Sequence, residues 1–301
     1  MLVPLDYFFK FLRKTSRIKF FSPRKVSLFV VVTVTLCSVM AFQTAVQAPR
    51  IISVEVPIAK LAPSMDKMRI GLISDIHLGP TVGYTQLKRV VDMTNALNPD
   101  IVVFSGDLMD ATLADVDGAA TPLAELKAPY GKYFATGNHE YYTGDIENWF
   151  KALESYGFIV LHNSNRKILS KSNPNDWICI LGTDDIQADQ IRYEGHGMDL
   201  KKAYKGCDLS HPAILIAHQP KAAQIALDSE FNIQLILSGH THGGQMYPII
   251  WLCYLVNPFM SGLYHPKEGS YVYVSQGSVY YGFPLRWGTY PEITNITLRA
   301  T

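Results

Sequence analysis

Aspartate, asparagine and histidine recur along this chain in five short polar clusters: Asp75-x-His77, Gly106-Asp107, Gly137-Asn138-His139-Glu140, His218 and Gly239-His240-Thr241-His242. Oxygen and imidazole donors with no cysteine among them favour Zn, Mn or Fe over a thiolate site. Two such ions can clamp an in-line displacement at phosphorus, so the donor set points to phosphoester hydrolysis. A single Gly-Asp is usually a turn, and Asp-x-His arises often by chance. The reading rests on all five clusters occurring in order, each behind an apolar run.

Those runs are Met68 to Ile73, Ile101 to Phe104, Tyr133 to Ala135, Ala213 to Ala217 and Leu235 to Leu237. Short continuous apolar stretches with β-branched residues, bounded by Gly, Pro or Asp, predict strands buried on both faces. Between them the period changes. Leu87, Val90, Val91 and Leu97 share one helical face, as do Ile146, Trp149, Phe150 and Leu153. Alternating strands and helices predict an α/β fold, and open sheets of this kind bind ligands at the carboxyl ends of their strands. The clusters therefore belong to one crevice.

Taken together, the five clusters resemble the calcineurin-like metallophosphoesterase superfamily, with no motif missing, over roughly residues 68 to 299. The surrounding residues (Ser74-Asp-Ile-His-Leu-Gly-Pro, Thr241-His-Gly-Gly-Gln, Asn257-Pro-Phe, Gly262-Leu-Tyr and Tyr281-Gly-Phe-Pro-Leu-Arg286) are similar to the branch of transmembrane metallophosphoesterase-domain proteins and their bacterial relatives. The resemblance implies a four-layer α/β/β/α sandwich and a metal-dependent phosphoric ester hydrolase. It implies one divalent ion (Mn, Zn or Fe) on Asp75, His77 and His242, and a second on Asn138, His218 and His240. Asp107 would bridge them, and a hydroxide shared by the ions would attack phosphorus. His139 is implied as the catalytic residue, facing the substrate to protonate the leaving oxygen or stabilise phosphoryl charge.

Other polar residues have two readings each. Glu140 either orients His139 or lies in a surface turn. Asp184 and Asp185, behind the apolar run Trp177 to Leu181, either reach the crevice or form a solvated turn. Arg286 pairs either with a substrate phosphate or with Glu292. His162, His196, His211 and His265 are read as capped or solvated side chains.

The N-terminal region follows other rules. Seven of the chain's 27 basic residues, but one of its 26 acids, fall in residues 1–25, ahead of an uncharged stretch over residues 26–48. That stretch can cross about 30 Å of hydrocarbon, and its basic flank predicts a single-pass anchor with the catalytic domain on the non-cytoplasmic side. Val46-Gln47-Ala48 offers a cleavage site, but the long basic region favours an uncleaved signal anchor. Residues 49–67 are expected as a linker or lead-in strand, and residues 68–301 as the metallophosphoesterase domain. The chain after its basic region carries five more acids than bases, which argues against nucleic acid as a partner. Beyond Cys37, the cysteines Cys179, Cys207 and Cys253 have no metal-type spacing and are expected as buried thiols, one disulfide among them being the alternative.

Ile249 to Tyr264 holds eleven large apolar residues. It is expected to pack as core beneath the crevice; the alternative is an apolar lip dipping into a membrane. With an anchor, a lip favours a lipid-linked phosphodiester or pyrophosphate as substrate. The other readings are a phosphatase or cyclic-nucleotide phosphodiesterase on soluble substrates, and a non-catalytic metal-binding scaffold.

Overall fold

The computed structural model describes residues 22–116 and 118–301, so most of the basic N-terminal region lies outside the described residues. The described residues fall into two units that divide between Met40 and Ala41. The first contains most of α1 (Pro23–Val46), a helix of 24 residues. At 1.5 Å per residue it is about 36 Å long, and it is long and apolar enough to cross a membrane. Its last turn belongs to the second unit, where Ala41 and Ala45 are buried and Arg89 Nη1 donates to Val46 O at 3.1 Å.

The second unit is built as β1 (Arg50–Ile58), β2 (Arg69–Ile73), α2 (Tyr84–Ala96), β3 (Ile101–Ser105), β4 (Lys132–Ala135), α3 (Ile146–Ser155), β5 (Phe158–Val160), β6 (Ser164–Leu169) and β7 (Trp177–Gly182). It continues with α4 (Ile186–Ile191), α5 (Leu200–Tyr204), β8 (Ala213–Ile216), α6 (Pro220–Asp228), β9 (Leu235–Ser238), α7 (Ile249–Val256), β10 (Gly262–Lys267), β11 (Ser270–Val274) and β12 (Glu292–Ala300). Two six-stranded sheets result, ordered β1-β12-β2-β3-β4-β5 and β10-β11-β9-β8-β7-β6. Within each, the strands that precede the polar clusters run parallel: β2 to β3 to β4 in the first sheet, β8 to β9 in the second.

Alternation along the strands explains the layering, because successive side chains of a strand face opposite sides. In β3, Ile101 and Val103 face the other sheet, where they meet Ile180, Ile214, Ile216, Leu235 and Leu237. Val102 and Phe104 face Leu87, Val90, Val91, Trp149 and Leu153 of α2 and α3. On the far side of the second sheet, Leu181, Leu215 and Ile236 pack against Ala203 of α5 and Ala222, Ala223 and Ala226 of α6. Helix, sheet, sheet, helix is the four-layer order expected from the sequence.

One alternative is decided and two expectations are corrected. Residues 50–58 take the lead-in strand of the two readings: β1 pairs in parallel with β12 from Arg50↔Glu292 to Ile58↔Ala300, making it the outer strand of the first sheet. Its Pro57 is tolerated because an edge strand has one side free of ladder bonds. Cys179 and Cys207 are joined in a disulfide with Cα atoms 5.9 Å apart, since the turn after α5 returns the chain to β7; Cys37 and Cys253 are free. Ile249 to Tyr264 is not core throughout. Phe259 and Met260 are buried, but in α7 only Ile250 is.

Candidate metal centre

Each polar cluster lies just past the carboxyl end of a strand, where two sheets bring their loops together. Backbone geometry shows how closely these loops are folded. Asp75 (φ 54°), His77 (56°), Asp107 (55°), His240 (72°) and His242 (48°) all adopt the left-handed region. That conformation costs of order 1–3 kcal/mol for such residues and persists where surrounding contacts over-determine it. Here the contacts are backbone hydrogen bonds between clusters: Asp75 N donates to Gly106 O at 3.1 Å, and His77 N to Asp107 O at 3.1 Å. The glycines permit the approach. A Cβ on Gly137 would overlap the Asp107 carboxylate, and one on Gly239 would overlap Ser74 and Asp75.

The sequence-predicted residues come together in full. Donor atoms of Asp75, His77 and His242 lie within 4.8 Å of one another, as do those of Asp107, His218 and His240. His77 Nε2 and His242 Nε2 are 3.0 Å apart, and His242 Nε2 is 3.3 Å from Asp75 Oδ1. His240 Nδ1 is 2.8 Å from Asn138 Oδ1, while the Asn138 amide donates to Tyr142 OH at 3.2 Å and so turns its oxygen toward the histidine. Asp107 Oδ2 sits between the groups, 3.1 Å from His218 Nε2 and 3.8 Å from His77 Nε2.

These residues fit a pair of cations. His218 Nδ1 donates to Ser105 O at 2.6 Å, which directs its other nitrogen into the crevice, yet Nε2 is buried and makes no hydrogen bond there. An imidazole held by one nitrogen, with the other turned toward a carboxylate at 3.1 Å without a hydrogen bond to it, suits a metal ligand. Charge agrees. Burial pushes His240 and His242 down to about 4, leaving neutral imidazoles. Burial alone would raise Asp75 and Asp107, but His242 beside Asp75 and His218 beside Asp107 outweigh it and hold both carboxylates below their usual range. Neutral imidazoles and ionised carboxylates are the states that bind divalent ions. His218 is the exception: burial opposes its charge, but the Asp107 carboxylate raises it well above its ordinary value, so a cation there would displace its proton.

His139 belongs to neither of these two groups, although it forms a third donor set with His77 and Asp107. Its side chain is 14% exposed, against 0% for His218 and 1% for His77, so it faces the open side of the crevice. Nδ1 donates to Asp110 Oδ1 at 2.7 Å, and Nε2 lies 3.9 Å from Asp107 Oδ2. The rings of Tyr142 and Tyr281 flank it at 4.9 and 5.1 Å. Asp110, which also accepts from His77 Nδ1 at 2.9 Å, went unrecognised in the sequence, where it reads as a turn acid three residues past Asp107. Burial works to raise the Asp110 carboxyl, but His139 and then His77 bring it down to about 2. The same contact raises His139 against the lowering effect of its burial.

The residues with two readings now have one. Glu140 neither contacts the His139 ring through a hydrogen bond nor lies on the surface. It is fully buried and accepts the backbone N–H of Asp107 (2.9 Å), Leu108 (2.7 Å) and Gly137, tying two ligand loops together. Leaving one such buried donor unpaired costs about 1–3 kcal/mol. Glu140→Ala should therefore lower unfolding free energy by at least about 3 kcal/mol, since three donors lose their acceptor. A melting temperature equal to that of the unaltered chain would contradict the clamp.

Arg286 reaches neither substrate space nor Glu292. It is buried, donating to His242 O at 3.2 Å and Gln276 O at 2.7 Å, with Nη2 3.1 Å from His242 Nδ1. Asp185 caps α4 and accepts from Gln219, and Asp184 pairs with His162 (2.8 Å) and His196 (3.2 Å) beside the crevice. His211 stacks on Trp177 and His265 on Tyr271.

Comparison with known proteins agrees with this geometry. The family described as calcineurin-like phosphoesterase matches residues 68–244, which hold all five clusters. The chain belongs to that family. Similar proteins include the transmembrane protein with metallophosphoesterase domain of Danio rerio, 49% identical over 276 residues, covering 92% of this chain and 63% of that protein. Its Bos taurus counterpart is 50% identical over 277 residues, with 91% and 62% covered. A metallophosphoesterase of Aquifex aeolicus is 31% identical over 239 residues, covering 79% and 87%. The chain thus spans less than two thirds of the vertebrate relatives' length and most of the bacterial one.

Proposed function

We propose that this chain is a membrane-anchored dinuclear-metal phosphoesterase that hydrolyses a phosphodiester, pyrophosphate or phosphomonoester, with a lipid-linked substrate favoured. The observation that carries the proposal is His218 Nε2, buried, without a hydrogen bond and 3.1 Å from the central Asp107 carboxylate, with the donors of Asp75, His77, Asn138, His240 and His242 gathered around them. Asp75, His77 and His242 would hold one ion, Asn138, His218 and His240 the other, and Asp107 both. When bound, divalent ions supply Lewis-acid polarisation of the phosphoryl group and activate water at neutral pH.

The remaining work falls to the chain's own side chains. His139, protonated at Nε2 and oriented by Asp110 through Nδ1, gives its proton to the departing alkoxide. Ser105 O fixes the tautomer of His218, and Arg286 holds the His242 loop. Tyr142 and Tyr281 wall the open side. Turnover of bis-nitrophenyl phosphate by the full chain should require added Mn and vanish with a chelator. Stoichiometric binding of metal with no turnover of monoester or diester would make the chain a scaffold instead.

The domain is read as lying on the non-cytoplasmic side. Support comes from the basic residues ahead of the apolar helix and from the Cys179–Cys207 disulfide, which suits an oxidising compartment. A reporter fused after Thr301 should be active only outside the cytoplasm, and a cytoplasmic signal alone would reverse the topology without touching the chemistry.

A further inference from the structure

Helix α7, Ile-Ile-Trp-Leu-Cys-Tyr-Leu-Val, carries no polar face, yet only Ile250 of its eight residues is buried. Trp251, Leu252, Tyr254 and Val256 are each more than half exposed and Leu255 is 81% exposed. A helix apolar on every side is stable in a core or in lipid and costs free energy in water. Beside it runs a second exposed segment, with Phe283 82% and Trp287 46% exposed. The two are joined: Tyr247 N donates to Trp287 O at 3.1 Å, Trp287 N donates to Gln245 O at 3.0 Å, and the Tyr247 and Trp251 rings lie 5.8 Å apart. An apolar patch of this size marks a contact surface.

Its position selects the partner. Arg286 N, next to Trp287, donates to Ala41 O at 2.9 Å. Ala41 is the residue at which the apolar helix α1 enters the folded domain. The exposed patch is therefore continuous with the point where the candidate membrane span leaves the protein. Tryptophan and tyrosine among aliphatic side chains suit the boundary between headgroups and acyl chains. The patch is also the rim of the metal centre, because Tyr281, two residues before Phe283, packs its ring 5.1 Å from both His77 and His139.

We infer that α7 and the Phe283 to Trp287 loop insert into the bilayer that receives α1, so that the metal centre opens at the lipid surface and takes amphiphiles whose phosphate reaches His139 while their chains stay in lipid. This rests on reading α1 as a membrane span and deepens the proposed substrate class. Insertion and catalysis are separable in the test.

The chain has four tryptophans: Trp149 and Trp177 are buried, whereas Trp251 and Trp287 lie in the ridge. In vesicles of phosphatidylcholine and phosphatidylglycerol with brominated acyl chains, full-chain tryptophan emission should be quenched relative to unbrominated vesicles. The quenching should disappear in Trp251→Tyr/Trp287→Tyr. Unquenched emission from the inserted chain, or equal quenching in the double variant, would overturn the ridge as a lipid contact. A dimer cross-linked through α7 with unquenched tryptophans would assign the surface to a second copy.

Separately, Leu252→Ser/Leu255→Ser/Phe283→Ser should lower turnover of a micellar alkyl nitrophenyl phosphodiester roughly tenfold or more, since each large apolar side chain taken up by lipid contributes about that factor. Turnover of bis-nitrophenyl phosphate should not change. Equal loss on both substrates would overturn lipid-side access. The quenching measurement needs no turnover, so an inactive chain would count against the proposed function alone.

Discussion

Asp107→Asn should strip the protein of both ions and of activity, whereas His77→Ala should chiefly weaken one site. Asparagine matches aspartate in shape and keeps an acceptor for the His139 backbone N–H, which Asp107 Oδ1 receives at 2.9 Å. The loops should therefore survive the change. What asparagine removes is the negative charge that the donor groups share, and its amide would present hydrogens to His218 Nε2 and His77 Nε2, now 3.1 and 3.8 Å from Asp107 Oδ2. The activity loss should exceed the roughly 10- to 100-fold that follows removal of a group one step away from a metal. Metal analysis of the full chain after gel filtration measures it. Two ions per chain with full turnover in Asp107→Asn would refute the bridging role, and equal loss of both ions in His77→Ala would merge the two sites into one.

The residues most legible in the sequence were those whose role depends on where a strand ends. Asp75, Asp107, Asn138, His218 and His240 each follow the end of a strand by two or three residues, and a parallel strand delivers its carboxyl end to one edge of the sheet whatever the loops do. The helical faces were equally readable, since Leu87, Val90 and Val91 are buried as their spacing requires. Glu140 and Asp110 were not. Apart from the nearby Gly137 N–H, their partners are backbone amides and imidazoles from distant clusters of the chain, and nothing in the local pattern separates a buried carboxylate with such partners from a turn acid.

The same limit applied to larger pieces. β1 owes its place to a ladder with β12, from the opposite end of the domain, and prolines in its neighbourhood disguised it as a connection. Cys179 and Cys207 meet because α5 turns back on β7, a consequence of topology that spacing does not encode. For α7, apolar composition specifies escape from water but not whether protein or lipid provides it. Lipid is proposed from the exposure of Leu255 and Phe283 together with the bond from Arg286 N to Ala41 O of α1.

His139→Ala should retain both ions and lose about 100- to 10,000-fold in rate, the range typical of a positioned proton donor. Its Nδ1 is occupied by Asp110 and its ring is more exposed than those of His77, His218 and His242, both of which suit a group facing substrate. Yet Nε2 is close enough to His77 and Asp107 to offer a third donor set, so metal content must be measured with the rate. Loss of an ion would make His139 a ligand. With both ions present, the leaving group decides its role. Nitrophenolate departs without a proton and should suffer least, while an alkyl alkoxide requires one and should suffer most. Asp110→Asn adds a sign. The Asp110 carboxylate raises His139, so its removal should lower the pH above which the proton donor is lost and move the alkaline limb of alkyl-ester turnover downward. An equal loss on both esters with an unmoved alkaline limb would leave His139 to stabilise phosphoryl charge in the transition state and remove it as an acid.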